Sequence, residues 1–424
     1  MRRLVSQVRS FDRPMHLLLL NQFGINLGFY MLMPYLANHL SIHLLLASWL
    51  VGLILGVRNL SQQGMFAVGG ALADRFGDKP LILAGCALRT VGFALLGLVD
   101  SVPVLIVGAA ATGLAGALFN PAVRAYVAAE AGDRRVEAFA LFNVFYQAGI
   151  LVGPVVGLAL TTLDFRLTCL VAAAVFAFLT VLQARALPVR GRPATADRGV
   201  LGDLLRSWRQ VTTNRAFMLF TGAMAGSYVL SFQVYLALPL AIEAAAGTEK
   251  TRTVAVAIMF AVSGLLSVLG QLKVTEWCRR RWSQHDALLR GVALMGAAFL
   301  PMAVAGLGPD PVVVVAAVLS GALIAVATMV AYPFEMATVV ALAGGGRIAT
   351  HYGVYHTVSG ITIALGNLLA GAALDLAHEV RLPAVPWLAF AALGTGCALM
   401  IHQLRRRGLL DPAPPGQPAV PSTV

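Results

Sequence analysis

A few ionisable side chains interrupt the long apolar runs of this sequence. They are Arg58, Arg89, Glu335, His351 and His356. An arginine at the centre of a bilayer costs roughly 2.5–3.5 kcal/mol on insertion scales, which implies a water-filled cavity or an acidic partner. A buried carboxyl or imidazole can bind and release a proton, because apolar surroundings favour its neutral form. These residues therefore predict proton binding and charge pairing within a membrane.

Glu335 is the only carboxylate well inside a predicted span, and we predict that it is the proton-binding site. His356 is a second candidate for proton coupling, and Arg58 is a third. Arg89 and Arg124 are predicted to be buried charges. Two alternatives stay open, because Arg58 and Glu335 could be cytoplasmic gate residues and His356 could be a packing histidine.

No pattern for catalysis accompanies these residues. The sequence has no Walker loop, no metal-ligand cluster and no placed Ser-His-Asp set, so it predicts no enzyme, no cofactor and no metal site. Its four cysteines lack pairing or ligand spacing and are expected to be small buried hydrophobic residues. The net charge of +12 does not indicate nucleic-acid binding, because the basic residues are spread over short loops without interleaved aromatics.

The elements that position these side chains are apolar helices. Of the 424 residues, 58% are hydrophobic and 12% are charged, and the mean hydropathy is +0.80. About 20 apolar helical residues cross a hydrocarbon core of roughly 30 Å. We therefore predict an all-α polytopic membrane protein with twelve transmembrane helices. The predicted spans are 15–38, 45–73, 80–99, 103–129, 136–162, 165–187, 215–243, 253–275, 286–306, 311–342, 350–376 and 385–404.

Arginine and lysine are distributed unevenly between the loops. The segment before the first span and every second loop after it are basic, whereas the opposite loops hold only Arg166, Lys250, Arg252 and Arg381. Short basic loops stay on the cytoplasmic side of a membrane. We predict a multi-pass protein of the plasma or inner membrane with both termini in the cytoplasm, whose loop arginines contact lipid headgroups.

An internal repeat divides the chain. The stretch ALFNPAVRAYVAAEAGDRR at 117–135 aligns with MVAYPFEMATVVALAGGGR at 329–347 and places Pro121 opposite Pro333. The predicted units are a six-helix bundle at 1–187, a cytoplasmic linker at 188–214, a second six-helix bundle at 215–405 and a disordered, proline-rich tail at 406–424. Within the linker, residues 200–211 predict an amphipathic helix that can lie on the membrane surface.

The loop between the second and third spans, GGALADRFGDKPL, carries a specific pattern. It resembles the signature loop of the major facilitator superfamily of secondary transporters, with Asp78 at a position where that family usually has arginine. The matching residues that we expect to act in conformational change are Gly70, Asp74, Arg75, Gly77 and Lys79. With the twelve spans and the repeat, the resemblance implies two pseudo-symmetric six-helix bundles, alternating access, and a latch at this loop.

The fifth span contains QAGILVGPVVG, where glycine recurs every four residues. Gly149, Gly153 and Gly157 share one helix face and let a neighbouring helix approach closely. Pro154 cannot donate to the carbonyl of Ile150, which predicts a bend or soft point. The run is similar to the antiporter signature of drug-exporting facilitators, and residues 51–80 are similar to a bacterial multidrug transporter. The resemblance implies proton-coupled multidrug efflux in the drug/proton antiporter branch.

Two departures from that branch leave the route of the proton open. Many members carry an acidic residue in the first span, where this sequence has Asn21. The arginine commonly found partway along the fourth span is missing, and Arg124 near its cytoplasmic end is the nearest substitute. The sequence therefore also allows another function, that of a facilitator-type transporter of a metabolite, nutrient or lipid, which could be an importer.

Substrate contacts are expected from polar and aromatic residues on the helices that line the cleft in this family. They are Asn21, Asn26, Tyr30, Arg58, Asn59, Gln62, Gln63, Asn143, Tyr146, Gln147, Tyr228, Gln233, Tyr235, Tyr352 and Tyr355. Such a lining suits amphipathic, often cationic or aromatic small molecules, although one buried acid facing several basic residues also suits anionic cargo. Tyrosines on helices are as often packing residues as binding residues. The expected partners are a small-molecule substrate, protons and lipids, and the expected state is a monomer.

Overall fold

The computed structural model describes residues 2–40, 44–46, 48–161, 163–189, 200–245, 247–305, 310–344 and 346–410. Within these ranges the chain is helical and contains no β-strand. The helices are α1 (Arg2–Arg9), α2 (Arg13–Asn38), α3 (Ser48–Phe76), α4 (Asp78–Leu98), α5 (Val102–Ala131), α6 (Arg135–Thr161), α7 (Phe165–Ala186), α8 (Val200–Thr212), α9 (Arg215–Phe232), α10 (Ala237–Ala245), α11 (Glu249–Arg281), α12 (Gln284–Ala297), α13 (Leu300–Ala305), α14 (Asp310–Leu342), α15 (Ile348–Glu379) and α16 (Val385–Arg406).

The described residues contain nine segments that are long and apolar enough to cross a membrane. One of them, Val102–Thr161, comprises α5 and α6 joined by the short 3-10 turn Gly132–Arg134. The helices α2 and α3, which cover the first two predicted spans, are not among the nine. The prediction of an all-α membrane protein is confirmed, while the number twelve stays a prediction.

Two predicted spans are interrupted rather than continuous. The seventh, 215–243, is divided by the 3-10 turn Gln233–Tyr235 between α9 and α10. The ninth, 286–306, is divided between α12 and α13, where Pro301 lies in the first turn of the second helix. Proline lacks the amide hydrogen that a continuous helix would need, but it is tolerated in a first turn.

Corresponding glycines pack the two parts of the repeat in the same way. A Cβ on Gly85 of α4 would lie 2.9 Å from the Cβ of Phe119 on α5. A Cβ on Gly291 of α12 would lie 2.9 Å from the Cβ of Ala331 on α14. Because Phe119 and Ala331 occupy equivalent places in the aligned stretches, the sequence repeat coincides with a repeated helix contact. The domain boundaries themselves stay predictions.

The three glycines of the fifth span line the face of α6 that contacts α2. A Cβ would lie 2.7 Å from the Cβ of Asn26 at Gly149, 2.6 Å from the Cβ of Tyr30 at Gly153, and 2.1 Å from the carbonyl oxygen of Met31 at Gly157. These distances are too short for any larger side chain, so the two backbones are in direct contact, as the spacing predicts.

The proline of this motif lies within the helix. Residues around Pro154 remain α-helical, and the hydroxyl of Tyr35 on α2 donates to the Pro154 carbonyl oxygen at 2.6 Å. This bond adds a polar tie to the glycine contacts between α2 and α6. The part that the motif plays in transport stays a prediction.

The linker helix α8 packs against the ends of α3 and α15, at what we call the linker end of the molecule. Its Asp203 forms an ion pair of 2.6 Å with Arg75, and the indole of Trp208 donates to the carbonyl oxygen of Ala67. Arg347, just before α15, donates to Ser207 and Gln210. The amphipathic helix is therefore present, but it is held against protein rather than only resting on a membrane surface.

Parts of two predicted segments lie outside the described residues. They are 190–199 of the linker and 411–424 of the tail. The helix α16 ends at Arg406, and the described start of the tail packs against the protein, since Leu410 is buried.

Replacing Gly157 with alanine is expected to lower the free energy of unfolding by about 1–3 kcal/mol, because the added methyl group forces α2 and α6 apart. Thermal unfolding of the detergent-solubilised protein would measure the change. Gly222→Ala is the matched control, because nothing lies within 4 Å of a Cβ at that helical position. Equal unfolding temperatures for the two variants would contradict the proposed backbone contact.

Candidate functional site

Glu335 lies on α14 with 4% of its surface exposed. Its Oε1 accepts hydrogen bonds from the hydroxyls of Tyr228 at 2.7 Å and Tyr355 at 2.6 Å. The two phenols come from α9 and α15, so three helices hold the carboxyl group in one place. Both donors are neutral phenols, and no ion pair among the described residues fixes this carboxyl in its charged form.

Glu335, Tyr228 and Tyr355 form what we call the carboxyl cluster. His356 lies beside this cluster and between the two predicted six-helix bundles, which we call the halves. Its ring centroid is 5.6 Å from that of Tyr355 and 5.7 Å from that of Phe66 on α3. Its buried Nε2 has no hydrogen-bond partner among the described residues. Tyr352 is also buried here, donating to the carbonyl oxygen of Met336 at 2.9 Å, and it is therefore placed as a packing residue.

Arg124 on α5 provides a positive charge on the other side of the interface between the halves. Its Nη1 donates to the carbonyl oxygen and to Oδ1 of Asn120, at 3.1 and 3.2 Å. It interacts electrostatically with Glu335 and with His356, and within the described ranges it forms no ion pair with a carboxylate. Arg124 thus lies within electrostatic range of Glu335 and His356 without a direct ion pair.

Arg58 on α3 and Arg89 on α4 form a second charged group. Arg58 donates to Oδ1 of Asn59 at 2.7 Å and to Oε1 of Gln62 at 3.1 Å. Its guanidinium lies 4.6 Å from the ring centroid of Phe29, and that of Arg89 lies 5.9 Å from the same centroid. Arg89 is only 5% exposed. This group is separate in the sequence from the Glu335 cluster and belongs to the first predicted bundle.

Three predicted tyrosines come together from both halves. Tyr30 of α2 interacts with Tyr146 of α6 and with Tyr235, which ends the 3-10 turn after α9. Tyr235 is 51% exposed, and its ring lies 5.6 Å from that of Phe260. These three side chains therefore form an aromatic surface between the halves, of which Tyr235 is half exposed. Tyr30 also interacts with Arg58, which places that arginine at the edge of the same surface.

Several other predicted polar residues join the halves. Asn143 donates to Oε1 of Gln271 at 2.6 Å, linking α6 to α11. Gln63 packs against Gly360, where a Cβ would lie 2.4 Å from Oε1 of the glutamine. Gln271 was not among the sequence candidates, although a glutamine within an apolar span is the signal that could have found it. Gln147 is partly buried on the same helix as Asn143.

Three predicted cavity residues point elsewhere. Asn21 is fully buried and donates to Oε1 of Gln183 at 3.0 Å, so it lies among α2, α4 and α7 inside the first bundle. Asn26 donates to the Gln22 carbonyl oxygen and packs on the glycine face of α6. Gln233 donates to the Val229 carbonyl oxygen and to Oδ1 of Asn367. The structure does not bring these three side chains to the carboxyl cluster.

The signature loop closes the linker end. Oδ2 of Asp74 accepts from the backbone nitrogen of Thr350 at 2.7 Å and from its hydroxyl at 2.6 Å. Both donors lie in the first turn of α15, where a carboxylate also interacts favourably with the helix dipole. A Cβ on Gly70 would lie 2.3 Å from the Ala349 carbonyl oxygen. Asp74 and Gly70 thus fasten α3 to α15 across the halves.

Other residues of the loop support this contact. Gly77 has φ of 92°, which favours glycine and allows the sharp turn from α3 into α4. Lys79 donates to the Ala184 carbonyl oxygen at 2.9 Å. A second link between the halves joins Arg279 of α11 to Glu137 of α6, which also pairs with Arg134.

Comparisons with known proteins agree with this architecture. The sequence model of the Major Facilitator Superfamily matches residues 18–367. An uncharacterized MFS-type transporter of Mycobacterium tuberculosis is 52% identical over 382 residues, covering 89% of this chain and 90% of that relative. The multidrug resistance protein MdtH of Sodalis glossinidius is 29% identical over 410 residues, covering 96% and 97%.

Solved structures show the same fold at low sequence identity. The human organic anion transporter MFSD10 has a TM-score of 0.71 at 18% identity, covering 92% of this chain and 99% of that one. The Escherichia coli fucose:proton symporter FucP has a TM-score of 0.72 at 14% identity, covering 92% and 98%. At these identities the likeness concerns the fold alone.

Asp74→Asn is expected to loosen the linker end, because the amide keeps the shape of the side chain but loses the charge that binds the start of α15. Charge-assisted hydrogen bonds contribute about 1.5–3 kcal/mol each. Spin labels on cysteines introduced at the exposed Asp133 and Arg281 would report the distance between the halves. In the variant, the distribution of these distances should gain a longer component.

Asp100→Asn is the control for this measurement, because its carboxylate pairs with Arg166 at the opposite end of the molecule. The native cysteines described by the structure are buried, which favours labelling of the introduced ones. An unchanged distance distribution in Asp74→Asn would show that the carboxylate does not act as a latch.

Proposed function

The chain belongs to the major facilitator superfamily, and we propose that it exports small amphipathic compounds by proton-coupled antiport with alternating access. It is a multi-pass membrane transporter and not an enzyme. The observation that carries the proposal is the buried carboxyl of Glu335, which is held by two phenols and lies within electrostatic range of Arg124. The similarity to MdtH supports multidrug export among the activities of this superfamily.

The proposed cycle follows from the charge on Glu335. When the carboxyl is ionised, its attraction to Arg124 adds to the contacts that keep the linker end closed. Protonation from the outside removes that attraction and shifts the equilibrium towards a state open at the linker end. Release of the proton inside, in exchange for substrate, restores the attraction and closes this end again. Each cycle moves substrate out and a proton in.

The sidedness of this cycle rests on the loop charges. Arg75, Lys79, Arg134 and Arg279 lie at the linker end, whereas Arg166 lies at the opposite end. We therefore place the linker end and both termini in the cytoplasm, and the protein in a plasma or inner membrane in contact with lipid headgroups. The proposed unit is a monomer, with protons and a small molecule as its ligands.

The aromatic surface of Tyr30, Tyr146 and Tyr235 is proposed as the place where the apolar body of the substrate binds. Aromatic side chains bind varied compounds through stacking and weak hydrogen bonds. Tyr228 and Tyr355 are instead assigned to the carboxyl that they contact. His356, with its unpartnered Nε2 next to the carboxyl cluster, is proposed as a secondary proton acceptor.

Export and coupling can be tested together in cells that express the protein. The accumulation of a chemically varied panel of compounds should fall on expression, and a protonophore should restore it by collapsing the proton gradient. Unchanged accumulation across the panel would exclude multidrug export. Raised accumulation of one compound would instead favour import.

Glu335→Gln is expected to abolish proton-driven efflux from inverted vesicles, because the amide cannot release a proton. Exchange of labelled for unlabelled substrate needs no net proton movement and should persist, without the pH dependence of the wild-type protein. Glu379→Gln, at an exposed carboxylate, is the matched control and should behave as wild type. Proton-driven efflux with an unchanged pH profile in Glu335→Gln would show that the proton binds elsewhere.

A further inference from the structure

Arg58 and Arg89 are two positive charges within the first predicted bundle that have no carboxylate partner among the described residues. We propose that they form an anion-binding site, and that the transported compound is an acidic amphiphile whose carboxylate or similar anionic group binds there. This assignment rests on the proposed function and narrows its substrate class.

The first argument is charge. A guanidinium group stays protonated in proteins, so neither arginine can become neutral to avoid the cost of burial. The hydrogen bonds that Arg58 donates end on the neutral amides of Asn59 and Gln62, and the Nε of each arginine is buried without a partner. The two charges also repel each other. A bound anion would pair directly with Arg58 and would offset the positive charge of Arg89 behind it.

The second argument is geometry. The ring of Phe29 lies close to both guanidinium groups, at 4.6 Å from Arg58 and 5.9 Å from Arg89. Gln62 accepts from Arg58, and both Gln62 and Arg89 lie against Gly116, where a Cβ would lie 3.1 Å from Cδ of Gln62 and 3.3 Å from Nη2 of Arg89. The two arginines therefore act on one small region around Phe29 and Gln62.

The third argument is access. Arg58 is only partly buried and interacts with Tyr30, whose neighbours Tyr146 and the half-exposed Tyr235 form the aromatic surface between the halves. An acidic amphiphile could place its anionic group against Arg58 and its apolar body on this surface. Arg89 lies behind, packed near the rings of Phe119 and Phe176, and strengthens the positive potential without touching the ligand.

The charge balance of the two halves fits this assignment. The anion site belongs to helices α3 and α4, while the proton-binding carboxyl belongs to α14. A cationic compound at the aromatic surface would be repelled by Arg58, whereas an anionic one would be attracted. Substrate and proton would thus occupy separate sites, one in each half.

Fluorescein and rhodamine 123 are suitable probes, because they share a xanthene body and carry opposite charges at neutral pH. Fluorescence anisotropy with the purified protein in detergent should show fluorescein binding at least about tenfold more tightly than rhodamine 123. Arg58→Gln should weaken fluorescein binding roughly 10- to 100-fold and leave rhodamine 123 binding no weaker. Arg58→Lys should recover part of the loss, and the exposed Arg407→Gln should bind as wild type.

A second measurement needs no variant at this site, in case Arg58→Gln does not fold. Naphthalene-1-acetate should displace fluorescein from the wild-type protein, and the neutral naphthalene-1-acetamide should not. The assignment is overturned by a wild-type protein that binds rhodamine 123 more tightly or binds neither dye, by equal displacement with acid and amide, or by a folded Arg58→Gln that keeps its fluorescein affinity.

This binding assay requires no proton gradient, so its outcome is independent of antiport. Selective anion binding without protonophore-sensitive efflux would refute the proposed function and leave the anion site standing. Protonophore-sensitive efflux of rhodamine 123 in preference to fluorescein would support the proposed antiport and refute the anion site.

Discussion

The cost of an unpaired charge in hydrocarbon governs the arrangement of this protein's interior. Four ionic groups of the interior have different local partners, namely phenol donors for Glu335, amide oxygens for Arg58, aromatic rings for Arg89 and an asparagine for Arg124. None of these partners cancels the charge. The described interior therefore keeps the Glu335 carboxyl in one predicted half and these arginines in the other, and in the proposed cycle ligands and protons change the attraction between them.

The same molecule uses backbone contact where it needs rigidity. Missing side chains at Gly149, Gly153 and Gly157 bring α6 directly onto α2, and Gly70 brings α3 onto α15. The first contact lies within one predicted bundle and has no charged partner, whereas the second lies between the bundles and is supported by the Asp74 carboxylate. Packing of the first kind suits a unit that moves as one body, and the second suits a contact that can be broken.

Much of this arrangement could be predicted from local sequence. The lengths of the apolar runs predicted the helices, the four-residue glycine spacing predicted close contact with a neighbouring helix, and a lone carboxylate in an apolar run singled out Glu335. The partners could not be predicted, because Asp74 meets Thr350 and Asn143 meets Gln271 across large sequence separations that no local pattern encodes. The same limit applies to Asn21, which we expected in the cleft. Most of its neighbours in the sequence are apolar, so they do not indicate which helix face meets Gln183.

In the proposed transport cycle, the placement of α8 bears on the rate of transport rather than on the choice of substrate. Arg75 from the end of α3 and Arg347 from the start of α15 both bind this helix, which carries neither the carboxyl nor the arginines of the interior. Separating the halves at the linker end must break hydrogen bonds on at least one side of α8. If the halves separate as proposed, the linker contributes to the activation barrier for opening, and we expect substitutions in it to alter turnover without altering what is bound.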